Sequence, residues 1–217
     1  MIFNTIDFVV FFIFILVSII FIKNRKFQHI LLLVGSYFFF YYTSNYLILL
    51  LLFSTILDFY AGKYISSAKN IISKKFLLII SLVGNLGLLG FFKYSDFAIL
   101  QFNVLGNHFD LASDIPLLDL TLPIGISFYT FQTISYTVDI YRGQLTPSKT
   151  FKEFALFVSF FPQLVAGPIV RAKDFLPQLR DKISSSNNKS LKQILITNQN
   201  LKLGITMMMM GFFKKVF

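Results

Sequence analysis

Apolar residues run along this 217-residue sequence in long blocks, and short clusters of charged and polar residues separate them. Within a block the apolar residues lie on all sides rather than in one stripe, as in helices that face lipid or other helices. The pattern predicts an all-α polytopic membrane protein, a bundle of transmembrane helices with short and re-entrant segments. The blocks cover residues 6–22, 30–57, 76–92, 120–140, 154–170 and 201–213.

Two of these blocks are interrupted. Block 30–57 is too long for one crossing and contains Thr43, Ser44 and Asn45, so we expect two short helices joined by a tight turn. Block 154–170 has basic residues on both flanks, and Pro162 and the pair at 167–168 break it. We expect it to enter and leave on the cytoplasmic side. Such irregular backbone is tolerated at membrane depth only when it is buried in protein or lines a wet cavity.

The distribution of charge indicates the topology. The formal net charge is +10, and the basic residues gather between the blocks, at 23–26, 63–75 and 142–153. This is the positive-inside pattern rather than the soluble basic face of a nucleic-acid-binding protein, so we expect no nucleic-acid partner. The three clusters are then cytoplasmic, whereas the N-terminus and the lysine-poor loop 93–120 face outward. The first block has no basic residue before it and no cleavage site, so it is interpreted as an uncleaved anchor.

Block 76–92 carries three glycines at three-residue intervals. The missing side chains of Gly84, Gly87 and Gly90 would let another helix approach closely. A merely flexible glycine-rich helix explains the same pattern, and the sequence leaves both interpretations open.

A polar stripe follows one face of the segment 122–143. Its members recur at steps of four, three, four and three, which places them on one side of a helix. Such a stripe points into the bundle or toward a water-filled path, and Asp139 is positioned to pair with Arg142. Hydrogen bonding between helices and a substrate path explain the stripe equally well. The stripe is Gly125, Tyr129, Gln132, Tyr136 and Asp139, and the opposite face is Ile124, Phe128, Phe131, Ile134 and Val138.

Block 154–170 carries polar candidates of its own. Ser159, Gln163 and Gly167 align at four-residue steps, and Gln163 is placed to satisfy the backbone carbonyl that Pro162 frees. Arg171 follows the block, where its guanidinium suits either a phosphate or carboxylate or, more simply, a lipid-facing anchor.

Reactive side chains are scarce. The sequence has no cysteine, and its two histidines, His29 and His108, are interpreted as solvated loop residues. Neither has a paired nucleophile or carboxylate at a catalytic spacing, and no phosphate-binding glycine loop or metal-binding spacing occurs. The residues alone thus predict a membrane bundle with a polar interior, no metal and no particular reaction. A small polytopic transporter or channel would have the same features.

Two stretches resemble the membrane-bound O-acyltransferase family, specifically its alginate O-acetyltransferase-like branch. They are LPIGISFYTFQTISYTVDIYRG at 122–143 and FALFVSFFPQLVAGPIVRAKDFLPQL at 154–179. FFKYSDF at 91–97 and GFFKKV at 211–216 agree with them, so the resemblance covers essentially the whole chain.

The resemblance implies a multi-pass protein of the bacterial inner membrane that transfers an acyl group, usually acetyl, to an extracytoplasmic polysaccharide. Acetyl-CoA or a carrier-linked acyl group would be the donor, and a separate periplasmic transferase a partner. Residues 1–217 would form a single membrane domain, the N-terminal part of the fold. The family's catalytic histidine is expected in a later block, so this chain alone is expected to be inactive, and a truncated assembly piece is the alternative. The implied tunnel-wall residues are Tyr129, Gln132, Tyr136, Asp139, Gln163, Gly167 and Arg171.

Overall fold

A computed structural model describes residues 5–22, 24–109, 115–123, 125–164, 170–184 and 198–216, and every regular element in them is a helix. The predicted all-α fold is therefore confirmed. The helices are α1 (Ile6–Phe21), α2 (Arg25–Ser44), α3 (Ile48–Ser67), α4 (Ile71–His108), α5 (Ile126–Tyr141), α6 (Phe151–Ser159), α7 (Phe161–Leu164), α8 (Ala172–Ser184) and α9 (Asn198–Val216), with a 3-10 turn at Asn45–Leu47.

Within the described ranges, two helical stretches are long and apolar enough to cross a membrane. They are Lys26–Ser67, which includes the turn between α2 and α3, and Ile71–His108; α1 is a shorter apolar helix. Large apolar side chains on these helices are exposed, among them Phe14, Phe53 and Val83. So much exposed apolar surface is what a protein solvated by lipid presents.

The described residues divide into two compact units, one of residues 36–176 and one of residues 1–35 with 177–217. In the unit 36–176, α3, α4 and α5 pack on one another, and α6 packs on α3 and α5. The single domain expected over residues 1–217 stays a prediction. The largest fully buried side chains of this unit are Phe39, Phe40, Leu51, Ile65, Tyr129, Tyr136, Phe154, Leu156, Phe157, Phe161, Leu164 and Leu176.

In the other unit, the first apolar block forms one uninterrupted helix, as predicted. The side-chain amide of Gln28 closes its C-terminal end by donating to the carbonyls of Ile19, at 3.1 Å, and Ile22, at 2.7 Å. A Cβ on Gly35 would lie 2.8 Å from Ile15 Cδ1, so the glycine allows α2 to approach α1 closely.

The break predicted at residues 43–45 is confirmed. The hydroxyl of Thr43 donates to the carbonyls of Phe39 and Phe40, at 3.0 and 2.9 Å, and Asn45 takes a left-handed conformation with φ 49°. Asparagine tolerates this conformation better than most residues, which lets the chain turn between two helices. α3 then continues beyond the end predicted for this block, so Asp58 lies inside a helix.

α4 is much longer than the predicted block 76–92. Its 38 residues rise about 57 Å, while Lys75 and Lys93 lie about 27 Å apart along it, close to the thickness of the hydrocarbon core. The prediction that the outer loop begins at Lys93 is therefore wrong, since the helix continues to His108. The loop was inferred from charge, which reports topology and not backbone conformation. No proline interrupts 93–108, so nothing in this stretch ends the helix.

The extended segment after α4 lies against this helical extension. Asn103 makes two hydrogen bonds with the backbone of Ile115, at 2.9 and 3.0 Å, and the amide of Leu118 donates to Asp96 Oδ1 at 2.8 Å. These exposed hydrogen bonds return the chain along α4 toward the start of α5.

Only one of the three glycines of block 76–92 meets another helix. A Cβ on Gly84 would lie 2.6 Å from Leu57 Cδ2, whereas a Cβ added to Gly87 or Gly90 would have nothing within 4 Å. The close-approach interpretation therefore holds at Gly84, where α3 and α4 pack.

Block 154–170 is broken, as predicted. α6 has nine residues and rises only about 14 Å, too little to cross a bilayer, and it ends at Ser159 before the single turn of α7. All of residues 154–157 are fully buried, so α6 is enclosed by protein. Gly167 and Pro168 lie outside the described residues, and the re-entrant path stays a prediction.

Candidate functional site

A glycine fixes the start of α5, the helix that carries the predicted polar stripe. Gly125 precedes the helix with φ +78°, a conformation that other residues rarely adopt, and a Cβ there would lie 2.7 Å from the Leu164 carbonyl oxygen. α5 and the end of α7 therefore approach each other through a position where only glycine fits. Gly125 thus acts through its backbone.

The four side chains of the predicted stripe are all buried. Tyr129, Gln132, Tyr136 and Asp139 are 2%, 3%, 0% and 4% exposed. The stripe therefore faces the interior of the unit, and on the opposite face Phe131 is 47% exposed. The assignment of faces on this helix is confirmed, while a role for these residues in a substrate path stays a prediction.

Two members of the stripe hold neighbouring segments in place. Gln132 Nε2 donates to the Phe157 carbonyl of α6 at 2.8 Å. The hydroxyl of Tyr136 accepts a hydrogen bond from the Ser148 amide at 3.1 Å, and its ring lies 4.3 Å from that of Phe154. Gln132 and Tyr136 thus bind the segment 148–157 to α5 through hydrogen bonds.

The other two members carry buried oxygen atoms that have no partner. Tyr129 Oη and Asp139 Oδ2 make no hydrogen bond within the described part of the chain. The expected pairing of Asp139 with Arg142 is therefore wrong for this oxygen, because the Arg142 side chain lies at the exposed end of the helix. Native proteins rarely leave buried polar atoms unpaired, so each such atom requires an explanation.

A second polar surface of α5 faces α3 and α4 and was not predicted. Thr133 and Thr137 lie on it, next to four polar residues of the neighbouring helices. We call this group the Asp58 cluster; it consists of Ser54, Asp58, Ser81, Asn85, Thr133 and Thr137. Every member is at most 1% exposed.

The carboxylate of Asp58 is at the centre of this cluster. Its Oδ1 accepts a hydrogen bond from Ser81 Oγ at 2.5 Å, and its Oδ2 accepts one from Asn85 Nδ2 at 2.7 Å. Asn85 Oδ1 accepts in turn from the hydroxyl of Ser54. The partners that the described residues supply to Asp58 are thus neutral groups, Ser81 and Asn85 of α4 and Thr133 of α5.

The threonines of α5 complete the cluster. Thr137 Oγ1 lies 3.1 Å from Ser81 Oγ, and Thr133 Oγ1 lies 3.4 Å from both Ser54 Oγ and Asn85 Oδ1. One hydrogen-bond network therefore joins α3, α4 and α5. It fixes their alignment more specifically than apolar packing alone would.

The remaining predicted site residues belong to segments other than α5. Gln163 is half-buried on α7, and Arg171 is exposed just before α8. Gly167 lies outside the described residues. At the helix break Gln132 Nε2 donates to the Phe157 carbonyl, and the role expected of Gln163 at the carbonyl that Pro162 frees stays a prediction.

The histidines lie within helices rather than in loops. His29 belongs to α2, and His108 is the last residue of α4, where its ring contacts that of Phe109 at 5.4 Å. Across the described ranges, no group of three or more His, Cys, Asp or Glu side chains is arranged to hold a metal ion. The buried polar groups that this part of the chain offers are therefore hydroxyls, amides and separate carboxyls.

Comparison with known proteins connects these polar helices to a family. The profile of the membrane-bound O-acyltransferase family matches residues 146–217, which begin just before α6. A peptidoglycan O-acetyltransferase of Helicobacter pylori is 35% identical over 75% of this chain and 33% of its own length. No solved structure matches the chain.

Relatives described as probable alginate O-acetylases align over the whole chain. Those of Pseudomonas putida and Azotobacter vinelandii are 33% and 30% identical over 100% of this chain, and over 42% and 41% of their own lengths. The chain thus spans about two fifths of the length of these relatives. It belongs to the membrane-bound O-acyltransferase family, in the branch of the alginate O-acetylases.

Proposed function

We propose that this chain forms part of the membrane-embedded wall of an enzyme that transfers an acyl group, acetyl by analogy with its relatives, to hydroxyls of an extracytoplasmic polysaccharide. The donor would be acetyl-CoA or a carrier-linked acyl group, and a periplasmic transferase would be a partner. The proposed location is a bacterial inner membrane, which the chain crosses several times, with block 154–170 re-entrant from the cytoplasmic side. The names of the relatives support the reaction class.

One observation carries the role proposed for this part of the chain. Tyr129 Oη and Asp139 Oδ2 are buried on the same face of α5, about 15 Å apart along the helix, and neither has a partner among the residues that the structure describes. Together they extend over about half of the hydrocarbon thickness. Two oxygens that the described residues do not satisfy are suited to meet water or a polar substrate group along a path.

Tyr129→Phe tests this role because it removes only the unpaired hydroxyl. Since that hydroxyl has no partner in the described protein, its loss is expected to leave the melting temperature unchanged or raised. Acyl transfer by the product of the complete gene should nevertheless fall. Asp139→Asn, which removes the charge at nearly constant shape, should also lower transfer.

Tyr60→Phe is the matched control, because Tyr60 is 47% exposed and projects from α3. Transfer and membrane abundance should both be unchanged in this variant. Full transfer by both Tyr129→Phe and Asp139→Asn, at normal abundance, would contradict a path along this face of α5.

A further inference from the structure

The break between α6 and α7 separates two backbone groups that an uninterrupted helix would join. In such a helix the Phe161 amide donates to the Phe157 carbonyl, four residues earlier. Here the Phe161 amide donates to Ser36 Oγ of α2 at 3.3 Å, and the Phe157 carbonyl accepts from Gln132 Nε2 of α5 at 2.8 Å. Two side chains from different helices thus occupy the places of a single helical hydrogen bond.

Water cannot replace these two side chains. Ser36 and Phe157 are fully buried, and Gln132 and Phe161 are 3% and 2% exposed. A buried amide or carbonyl without a partner destabilises the fold, so both backbone groups depend on the side chains that reach them.

Pro162 does not itself force this exchange of hydrogen bonds. A proline lacks an amide hydrogen and crowds the carbonyl four residues earlier, which here is that of Val158. The bond between Phe161 and Phe157 therefore remains possible in a straightened chain. The break depends on Ser36 and Gln132 as well as on the proline.

The position of α7 depends on the break. Its first ring, Phe161, lies 5.8 Å from the ring of Phe39, and its last carbonyl, that of Leu164, fills the space beside Gly125. Winding one more residue into α6 would rotate Phe161 by about 100° around the helix axis. Both contacts would then be lost, and the chain that leads from α7 into residues 165–169 would be redirected.

We propose that Ser36 and Gln132 are positioning residues that act as a pair: they replace the helical hydrogen bond between Phe161 and Phe157 and so fix α7 beside the start of α5. Their importance for acyl transfer rests on the proposed function. The exchange of hydrogen bonds does not, and stability measurements test it separately.

If Ser36 and Gln132 act as a pair, their single and double variants should differ in stability in an unusual way. The protein for this test is expressed from its complete gene and purified in detergent. Ser36→Ala and Gln132→Met each leave one buried backbone group unpaired, so each should lower the melting temperature by about 5 °C. The double variant frees both groups, which can then bond each other. Its melting temperature should therefore lie above that of the less stable single variant.

Ser159→Ala is the matched control for Ser36→Ala. Ser159 is equally buried, but its hydroxyl donates within α6 to the Ala155 carbonyl, so its removal leaves no backbone group dependent on it. Its melting temperature should stay close to that of the wild type. Additive losses in the double variant, or single variants as stable as the control, would overturn the proposal.

Membrane abundance decides the outcome if a single variant does not fold. The double variant should then still accumulate in the membrane, even if Ser36→Ala or Gln132→Met alone does not. If the double variant also failed to accumulate, the result would count against the proposed pair.

Acyl transfer provides the second readout, because the double variant regains stability while α7 stays displaced. Transfer should fall by about tenfold or more, and full transfer by a stable double variant would overturn the positioning role.

Discussion

At the scale of single residues, Gly62 determines how closely α3 approaches α5. A Cβ at this position would lie 2.6 Å from Tyr136 Cε1 and 2.8 Å from Ile140 Cδ1. The Tyr136 ring cannot withdraw easily, since Phe154 packs on it and its hydroxyl binds the Ser148 amide. The glycine is therefore part of the packing of Tyr136.

We expect Gly62→Ala to destabilise the protein by about 1–3 kcal/mol, because the added methyl group overpacks a filled core. Gly87→Ala is the control, since nothing lies within 4 Å of a Cβ there, and it should be neutral or stabilise by about 0.5–1 kcal/mol. Thermal unfolding in detergent measures both. Equal melting temperatures for the two variants would contradict the packing assigned to Gly62.

The Asp58 cluster gives a second prediction at this scale. Asn85→Ala removes the amide that binds both Asp58 and Ser54, leaving a carboxylate oxygen buried without its partner. The expected loss of stability is about 1–3 kcal/mol. Asn103→Ala, which removes only the exposed hydrogen bonds to Ile115, should cost less than about 0.5 kcal/mol. Similar unfolding curves for the two alanine variants would argue against a buried network.

The sequence predicts one polar surface of α5 and not the other. Tyr129, Gln132, Tyr136 and Asp139 recur at helical spacing within one segment, so their shared face follows from periodicity. The members of the Asp58 cluster come from three helices, and Asp58 follows directly on an apolar block, where it resembles a residue at a helix end. Only the packing of α3, α4 and α5 brings them together. The pair Thr133 and Thr137, four residues apart on α5, was the available signal.

At the scale of the elements, apolar blocks predict the presence of helices more reliably than the residues at which the helices end. The break at 43–45 follows from three polar residues in a row, whereas α4 extends far past its apolar block. The pair that holds the break after α6 depends on Ser36, 125 positions from Phe161 in sequence, which no local pattern connects.

The direction of α4 and the path of block 154–170 give a prediction about topology. Because the chain has no cysteine, Asn107→Cys, Lys149→Cys and Lys173→Cys each introduce a single exposed thiol. A thiol reagent that cannot cross the membrane should label the cysteine at 107 from outside, and the other two only after the cells are opened.

The two lysine positions test the re-entrant path together, since they lie on either side of block 154–170. Labelling of 149 and 173 from opposite sides of the membrane would mean that the block crosses completely. Labelling of 149 from outside, without labelling of 107, would reverse the whole assignment.

At the scale of the whole molecule, the unit of residues 36–176 is built around α5, which is polar on two buried faces and packs against α3, α4 and α6. One face aligns the three longest packed helices of its unit through the Asp58 cluster. The other meets the broken helix α6 and carries the two unpaired oxygens of Tyr129 and Asp139. This unit therefore combines a fixed scaffold with a polar surface that the described chain leaves partly unsatisfied.

Ester-linked acetate on the cell-envelope polysaccharides of the source organism is the direct measure of the proposed O-acetyl transfer. Acetate released by mild base should fall when the complete gene is deleted and return when it is supplied again. Tyr60→Phe should restore it fully, and Tyr129→Phe, at equal membrane abundance, only in part. Unchanged ester-linked acetate after deletion would contradict O-acetyl transfer to a polysaccharide as the function of this protein.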